Sequence, residues 1–197
     1  IAPDLGRSDA WLYRQANLMF DEESLACAKN YIRQLLTRTN PYNGTRYLDD
    51  PVNILWEVMN EPRYMDYGQM KLAESHYEQY REWLRKHDLE EENGKNYKIY
   101  REERILNYLN DMHEFIRSTG ARQPVAWSCN WHKMIRGRED VFEAIAESKM
   151  EAISFCNYPG QDEAQQNAGG DNYWESSLDL TSHNFADWFR EGYTNRE

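Results

Sequence analysis

A carboxylic acid follows directly after an apolar segment in the motif Asn60-Glu61-Pro62. Residues 52–59 are largely apolar and include β-branched side chains, which predicts a buried strand. Pro62 cannot donate a main-chain hydrogen bond and should end that strand, while the amide of Asn60 offers a neighbouring donor and acceptor. Desolvation at the end of a buried strand raises a carboxyl pKa and suits the group to general acid catalysis. We therefore predict that Glu61 transfers a proton, although a loop carboxylate without chemistry is the simpler alternative.

The elements around this motif alternate between helical and strand patterns. One helix begins after Asp21, a good capping residue. Another ends at Gly120 and carries a single apolar stripe of Ile105, Leu109, Met112 and Ile116. Strands separated by helices are typical of parallel α/β units. The predicted helices are 21–39, 69–88, 98–119 and 139–149, and the predicted strands are 52–59, 124–128 and 152–159.

Composition narrows the classes of partner. The net charge of −11 provides no basic surface for phosphates, so we expect no nucleic acid. No apolar run is long enough to span a membrane, so we expect no membrane partner. The aromatic content of 14% suits stacking on the apolar faces of sugars, although most aromatic residues will serve in packing. The three cysteines give no disulfide framework and no metal motif.

The segment from Trp56-Glu57 through Asn60-Glu61-Pro62 resembles the fourth-strand motif of retaining glycoside hydrolases built on (β/α)8 barrels, the family 5 cellulases and β-mannanases among them. The loop before it, with Asn40-Pro41 and later Asp49-Asp50-Pro51, is similar to the one that precedes this strand in β-mannanases, and Arg63 continues the motif as it often does there. The resemblance implies that Glu61 is the acid/base and that Asn60 contacts the 2-hydroxyl of the sugar. It also implies that no metal or cofactor is needed.

The third predicted strand supports the same resemblance. Its residues 153–159 resemble the sixth strand of these barrels, which usually ends in His-x-Tyr-Pro. Tyr158 matches the family tyrosine, which implies a hydrogen bond to the nucleophile. Cys156 stands where histidine is usual, so one polar contact near the acid/base is missing.

Further residues are candidates for substrate binding. Four of them fall at the tip of the predicted fifth strand, where we expect them to face the cleft: Trp127, Asn130, Trp131 and His132. As a cluster they favour a binding role about as much as simple packing. Arg63 and Trp174 complete the candidate set, although a loop tryptophan such as Trp174 could equally cover an edge of the core. Glu57 is expected to be a buried structural carboxylate rather than a second catalyst.

The predicted fold class is α/β, a TIM barrel of which this chain holds about strands four to six with their helices. Residues 1–197 would then be part of a single barrel domain, and remaining barrel segments are needed to complete it. A crossover between parallel strands needs only one helix, so residues 64–100 are predicted to be a helical insertion after strand four. A longer helix pair with no part in binding is the alternative. The nucleophilic glutamate is expected outside the sequence.

The predicted function is retaining, endo-acting hydrolysis of a β-1,4-linked polysaccharide or oligosaccharide. Mannan is favoured by the β-mannanase features, and glucan remains open. A barrel that has lost catalysis and binds carbohydrate or acts as a scaffold is the principal alternative. A barrel of another enzyme class with Glu61 as a proton-transfer base is less favoured, because no phosphate loop or ligand cluster accompanies it. We expect a secreted or periplasmic protein whose signal peptide is not in the chain.

Overall fold

The computed structural model describes residues 16–60, 62, 64–130 and 139–156. The chain divides into two compact units, Ile1–Cys156 and Asn157–Glu197. All described residues belong to the first unit. No helix in these described ranges is both long and apolar enough to cross a membrane.

Three parallel strands form the sheet, in the order β1 (Trp56–Glu57), β2 (Val125–Asn130) and β3 (Ala152–Cys156). The register pairs Glu57 with Ala126 and Asn130 with Cys156. Strands β2 and β3 are close to their predicted positions, and the parallel α/β arrangement is confirmed. The carboxyl ends of all three strands therefore lie at the same edge of the sheet.

The helices lie near their predicted positions. The backbone N–H of Ser24 donates to the carboxylate of Asp21 (2.7 Å), which caps the first helix as expected. The fourth helix ends where Gly120 adopts a positive φ of 93°. The helices with described bounds are α1 (Glu22–Thr37), α2 (Tyr67–Leu72), α3 (Glu74–Lys86), α4 (Tyr97–Ser118) and α5 (Glu139–Glu147), with 3-10 turns at Tyr47–Asp49 and Glu92–Gly94. Residues 16–20 are also helical.

Helix α4 runs through the centre of the core. Its predicted apolar stripe is buried along the whole length: Ile105, Leu109, Met112 and Ile116. Helix α5 packs against it on one side, and α1 and α3 contact it elsewhere. The stripe thus does what its 3.6-residue period predicts, because one face of the helix meets neighbours along its length.

Helix α2 and helix α3 replace the single helix predicted at 69–88. Asp66 and Gln69 form a capping box at the start of α2, in which each side chain accepts from the other's backbone N–H. The helix is interrupted at Ala73, whose extended backbone separates α2 from α3. Both helices contribute aromatic rings to a cluster with the first turn of α4, in which Tyr80 lies 5.6 Å from Tyr97 between ring centroids.

The strand predicted at 52–59 differs most from the structure. Only Trp56 and Glu57 form β1, while Val52 is 81% exposed and Ile54 is 77% exposed. Strand β1 lies at one side of the described sheet and pairs only with β2. Among the described residues, β1 therefore pairs along one edge only, and residues 52–55 belong to no strand.

Candidate functional site

Main-chain hydrogen bonds hold β1 up to three residues before Glu61. The N–H of Trp56 donates to the carbonyl of Pro124 (2.9 Å), and the N–H of Val58 donates to the carbonyl of Ala126 (3.1 Å). Pairing with β2 therefore extends one residue beyond β1. Asn60 follows two residues later and is exposed.

The segment that approaches β1 is tied to the loop before β2. The indole N–H of Trp56 donates to the side-chain oxygen of Gln123 (3.0 Å), whose NH₂ group donates to the carbonyl of Leu48 (3.0 Å). Leu48 is itself buried in the 3-10 turn. This chain of contacts fixes where the approach segment meets the sheet, and hence the direction in which β1 leaves it.

The residues after Glu61 are also anchored. Pro62 is buried, and Tyr64 is only 3% exposed. The indole N–H of Trp127, on β2, donates to the hydroxyl oxygen of Tyr64 (2.9 Å). Contacts thus restrain described residues before and after position 61, as a site held by its surroundings requires.

A second anchor acts on the carbonyl oxygen of Met65. The hydroxyl of Tyr97 and one terminal NH₂ group of Arg101 both donate to it, each at 3.0 Å. Arg101 also binds the carboxylate of Asp140 through two nitrogens, at 2.6 and 2.8 Å. Burial alone would lower the pKa of Arg101, but the hydrogen bonds and negative charge of Asp140 outweigh it and raise that pKa. The guanidinium is therefore charged, and its planar fork serves the carboxylate and the carbonyl together.

The burial of two side chains, those of Trp127 and Glu57, differs from the prediction. Trp127 was expected to face the cleft, but it is fully buried. Its ring edge meets Tyr108 of α4 at 5.8 Å between centroids, so it points into the layer between sheet and helix. Glu57, expected to be buried, is exposed.

The structure describes only some of the remaining predicted site residues. The backbone of Asn130 ends β2, opposite Cys156 at the end of β3, so both lie at the sheet edge toward which β1 also runs. Six residues of the predicted site lie outside the described ranges: Glu61, Arg63, Trp131, His132, Tyr158 and Trp174. Within the described ranges, no group of three or more His, Cys, Asp or Glu side chains is placed to hold a metal ion.

Three residues that hold this region were not predicted from the sequence: Tyr64, Arg101 and Asp140. A signal existed for Arg101, because it lies four residues before Ile105 and so extends the apolar stripe of α4 by one turn. A charged residue on a buried helical stripe needs a partner. That partner, Asp140, is 39 residues away in the sequence and has no local signal.

Part of the chain is similar to known proteins whose names describe mannan-cleaving enzymes. Residues 8–99 match the family described as GH family 5 beta-mannosidase-like. Mannan endo-1,4-beta-mannosidase 1 of Oryza sativa subsp. japonica is 51% identical over 35 residues, which is 18% of this chain and 8% of that protein. Mannan endo-1,4-beta-mannosidase 5 of Arabidopsis thaliana is 43% identical over 47 residues, 24% of this chain and 11% of that protein.

The matched segments span only 8% to 11% of the length of the curated relatives. No solved structure matches the chain. The family match at residues 8–99 includes the loop before β1 and the Asn60-Glu61-Pro62 motif, but neither β2 nor β3. The predicted resemblance to glycoside hydrolase family 5 mannanases is thus confirmed for that part of the chain.

Proposed function

We propose that this chain is the central part of a (β/α)8 barrel that hydrolyses β-1,4-linked mannan with retention of configuration. The observation that carries the proposal is the hydrogen bond from Val58 to Ala126, which holds the residues just before the Asn60-Glu61-Pro62 motif at the carboxyl end of a parallel sheet. Active sites of such barrels lie at that end. The mannan-cleaving relatives of the same segment favour mannan over glucan as the substrate.

In the proposed reaction Glu61 acts twice. It first protonates the departing glycosidic oxygen while a glutamate nucleophile, outside this sequence, attacks the sugar from the other face. It then accepts a proton from the water that hydrolyses the glycosyl-enzyme. Asn60 would bind the 2-hydroxyl and Tyr158 would orient the nucleophile. The two carboxyl groups should lie roughly 5–5.5 Å apart, as a retaining mechanism requires.

Substrate contacts come in this proposal from residues around the same edge: Arg63, Asn130, Trp131, His132 and Trp174. Trp127 is not part of that set, because its burial against α4 leaves no surface for a sugar. The hydrolase would be secreted or periplasmic, since the substrate is a polysaccharide too large to enter the cytoplasm intact. Residues 64–100, which include α2 and α3, would form an insertion on the catalytic side.

A second candidate function is a barrel that binds carbohydrate without cleaving it. Cys156 favours this alternative, because it ends β3 where the family resemblance leads us to expect histidine. The seventh-strand residue that would serve as nucleophile distinguishes the two functions. A glutamate there supports the hydrolase, and any other residue supports the binding protein.

Glu61→Gln tests the proposed reaction in the complete enzyme. Loss of general acid–base catalysis should lower kcat on mannan by about 10²–10⁴-fold, while mannooligosaccharide binding measured by calorimetry stays nearly unchanged. Glu74→Gln is the control, because it removes one exposed carboxylate at the start of α3. Mannan hydrolysis that persists at the original rate in Glu61→Gln would refute the assignment.

A further inference from the structure

Arg101 and Asp140 form a buried ion pair in the described part of the chain. Their side chains are 5% and 3% exposed, and the pair is bidentate. Removing two charges from water is costly, and apolar residues of similar volume often match a buried ion pair in stability. Stability alone therefore explains this pair poorly. The third contact of Arg101, outside the pair, indicates another role.

That remaining contact is with the segment that carries the acid/base. The third nitrogen of Arg101 donates to the carbonyl of Met65, which lies four residues after Glu61 in the sequence. Tyr97, one turn earlier on α4, donates to the same oxygen, and its ring lies beneath the guanidinium at 5.5 Å. The carboxylate of Asp140 sets the guanidinium in the plane from which it reaches Met65.

The pair also joins two loops of the proposed site. Asp140 is the second residue of α5, the helix that follows residues 131–138 with their predicted sugar contacts Trp131 and His132. Met65, at one end of these contacts, follows Glu61 in the sequence, and Asp140, at the other end, follows the loop after β2. Arg101, on α4 between them, connects both to the same helix.

We infer that Arg101 and Asp140 are positioning residues that set Glu61 against the glycosidic oxygen, acting through the carbonyl of Met65. The inference rests on the proposed function. Because a misplacement of about 1 Å can cost about 10²-fold in rate, loss of this anchor should slow the step that needs a proton from Glu61. It should affect far less a step that needs no proton.

The test is the double variant Arg101→Met/Asp140→Leu in the complete enzyme, which removes both charges and keeps the volume apolar. We expect kcat/KM on mannan to fall by about 10²-fold. We expect kcat/KM on a dinitrophenyl mannobioside to fall less than threefold, because this leaving group departs as an anion without protonation. The control Lys29→Met/Asp111→Asn removes an ion pair between α1 and α4, ten residues from Arg101 along α4, and should change neither value.

An equal loss on both substrates, or no loss on mannan, would overturn the inference. If the double variant does not fold, Tyr97→Phe decides, since it removes one donor to Met65 without burying a charge. It should lower kcat/KM on mannan at least threefold while leaving the dinitrophenyl substrate unchanged, and an unchanged mannan value would overturn the inference. Glu61→Gln is measured beside both variants, and its full activity on mannan would mean that the proposed function itself had failed.

Discussion

A methyl group added at Gly94 should disrupt the turn that connects α3 to α4. Gly94 has a φ of +86°, and a Cβ atom there would lie 2.5 Å from Cγ of Tyr67. The hydroxyl of Tyr67 donates to the carboxylate of Glu91, so this ring ties α2 to the turn. Gly94→Ala therefore adds a backbone penalty and also displaces the ring.

The magnitude follows from these two effects. A left-handed backbone costs alanine ~1–2 kcal/mol. Displacing Tyr67 loses a hydrogen bond to a charged group, which is worth ~1.5–3 kcal/mol when well buried. The side chain of Glu91 is 34% exposed, so the lower end of that range applies. We expect Gly94→Ala to lower the free energy of unfolding by about 3 kcal/mol.

Gly120→Ala is the matched control. Gly120 has a similar φ of +93°, but a Cβ atom there would have nothing within 4 Å. Only the backbone penalty of ~1–2 kcal/mol should remain. Urea titrations of both variants give the two free energies of unfolding, and equal losses would refute the steric argument. In a Tyr67→Ala background, Gly94→Ala should cost no more than Gly120→Ala, because the obstructing ring is gone.

Two further predictions concern buried polar groups. Burial lowers the pKa of His76 to about 4 from its ordinary 6.5, so the unfolded chain takes up the proton first as the pH falls. The free energy of unfolding should therefore drop by about 3 kcal/mol between pH 6.5 and 4. Urea titrations at the two pH values should show a smaller drop for His76→Phe than for the parent, and an equal drop would contradict the prediction. Tyr64→Phe removes the acceptor of the Trp127 indole N–H and should cost ~1–3 kcal/mol. Tyr80→Phe is the control, because the hydroxyl of Tyr80 has no hydrogen-bond partner among the described residues. It should leave the urea midpoint nearly unchanged. Equal midpoints in Tyr64→Phe and Tyr80→Phe would exclude a role for the Tyr64 contact.

Periodicity predicted the helices well because it depends on one chain segment at a time. The stripe on α4 needed only its own spacing, and all four of its predicted members are buried. Asp21 as a cap and Gly120 as a terminator are likewise local signals, read from one residue and its neighbours.

The orientation and burial of side chains in the strands could not be predicted in this way. Val125 through Ser128 are all buried, so β2 has no alternation of apolar and polar residues from which to assign a face. Whether Trp127 points to the cleft or to α4 is decided by Tyr64 and Tyr108, which are distant in the sequence. The exposure of Val52 likewise depends on which distant residues pack against it and not on its own β propensity.

The anchor at Met65 also bears on the predicted insertion. Tyr97 and Arg101 lie 32 and 36 residues after Met65, yet both donate to its carbonyl. The intervening chain therefore leaves Met65 and returns to the same point, as a closed loop. Changes in the length or shape of α2 and α3 need not move Met65, because α4 holds its carbonyl directly. We therefore expect the residues between Met65 and Tyr97 to tolerate changes, as an insertion would, provided that the anchor at Met65 is kept.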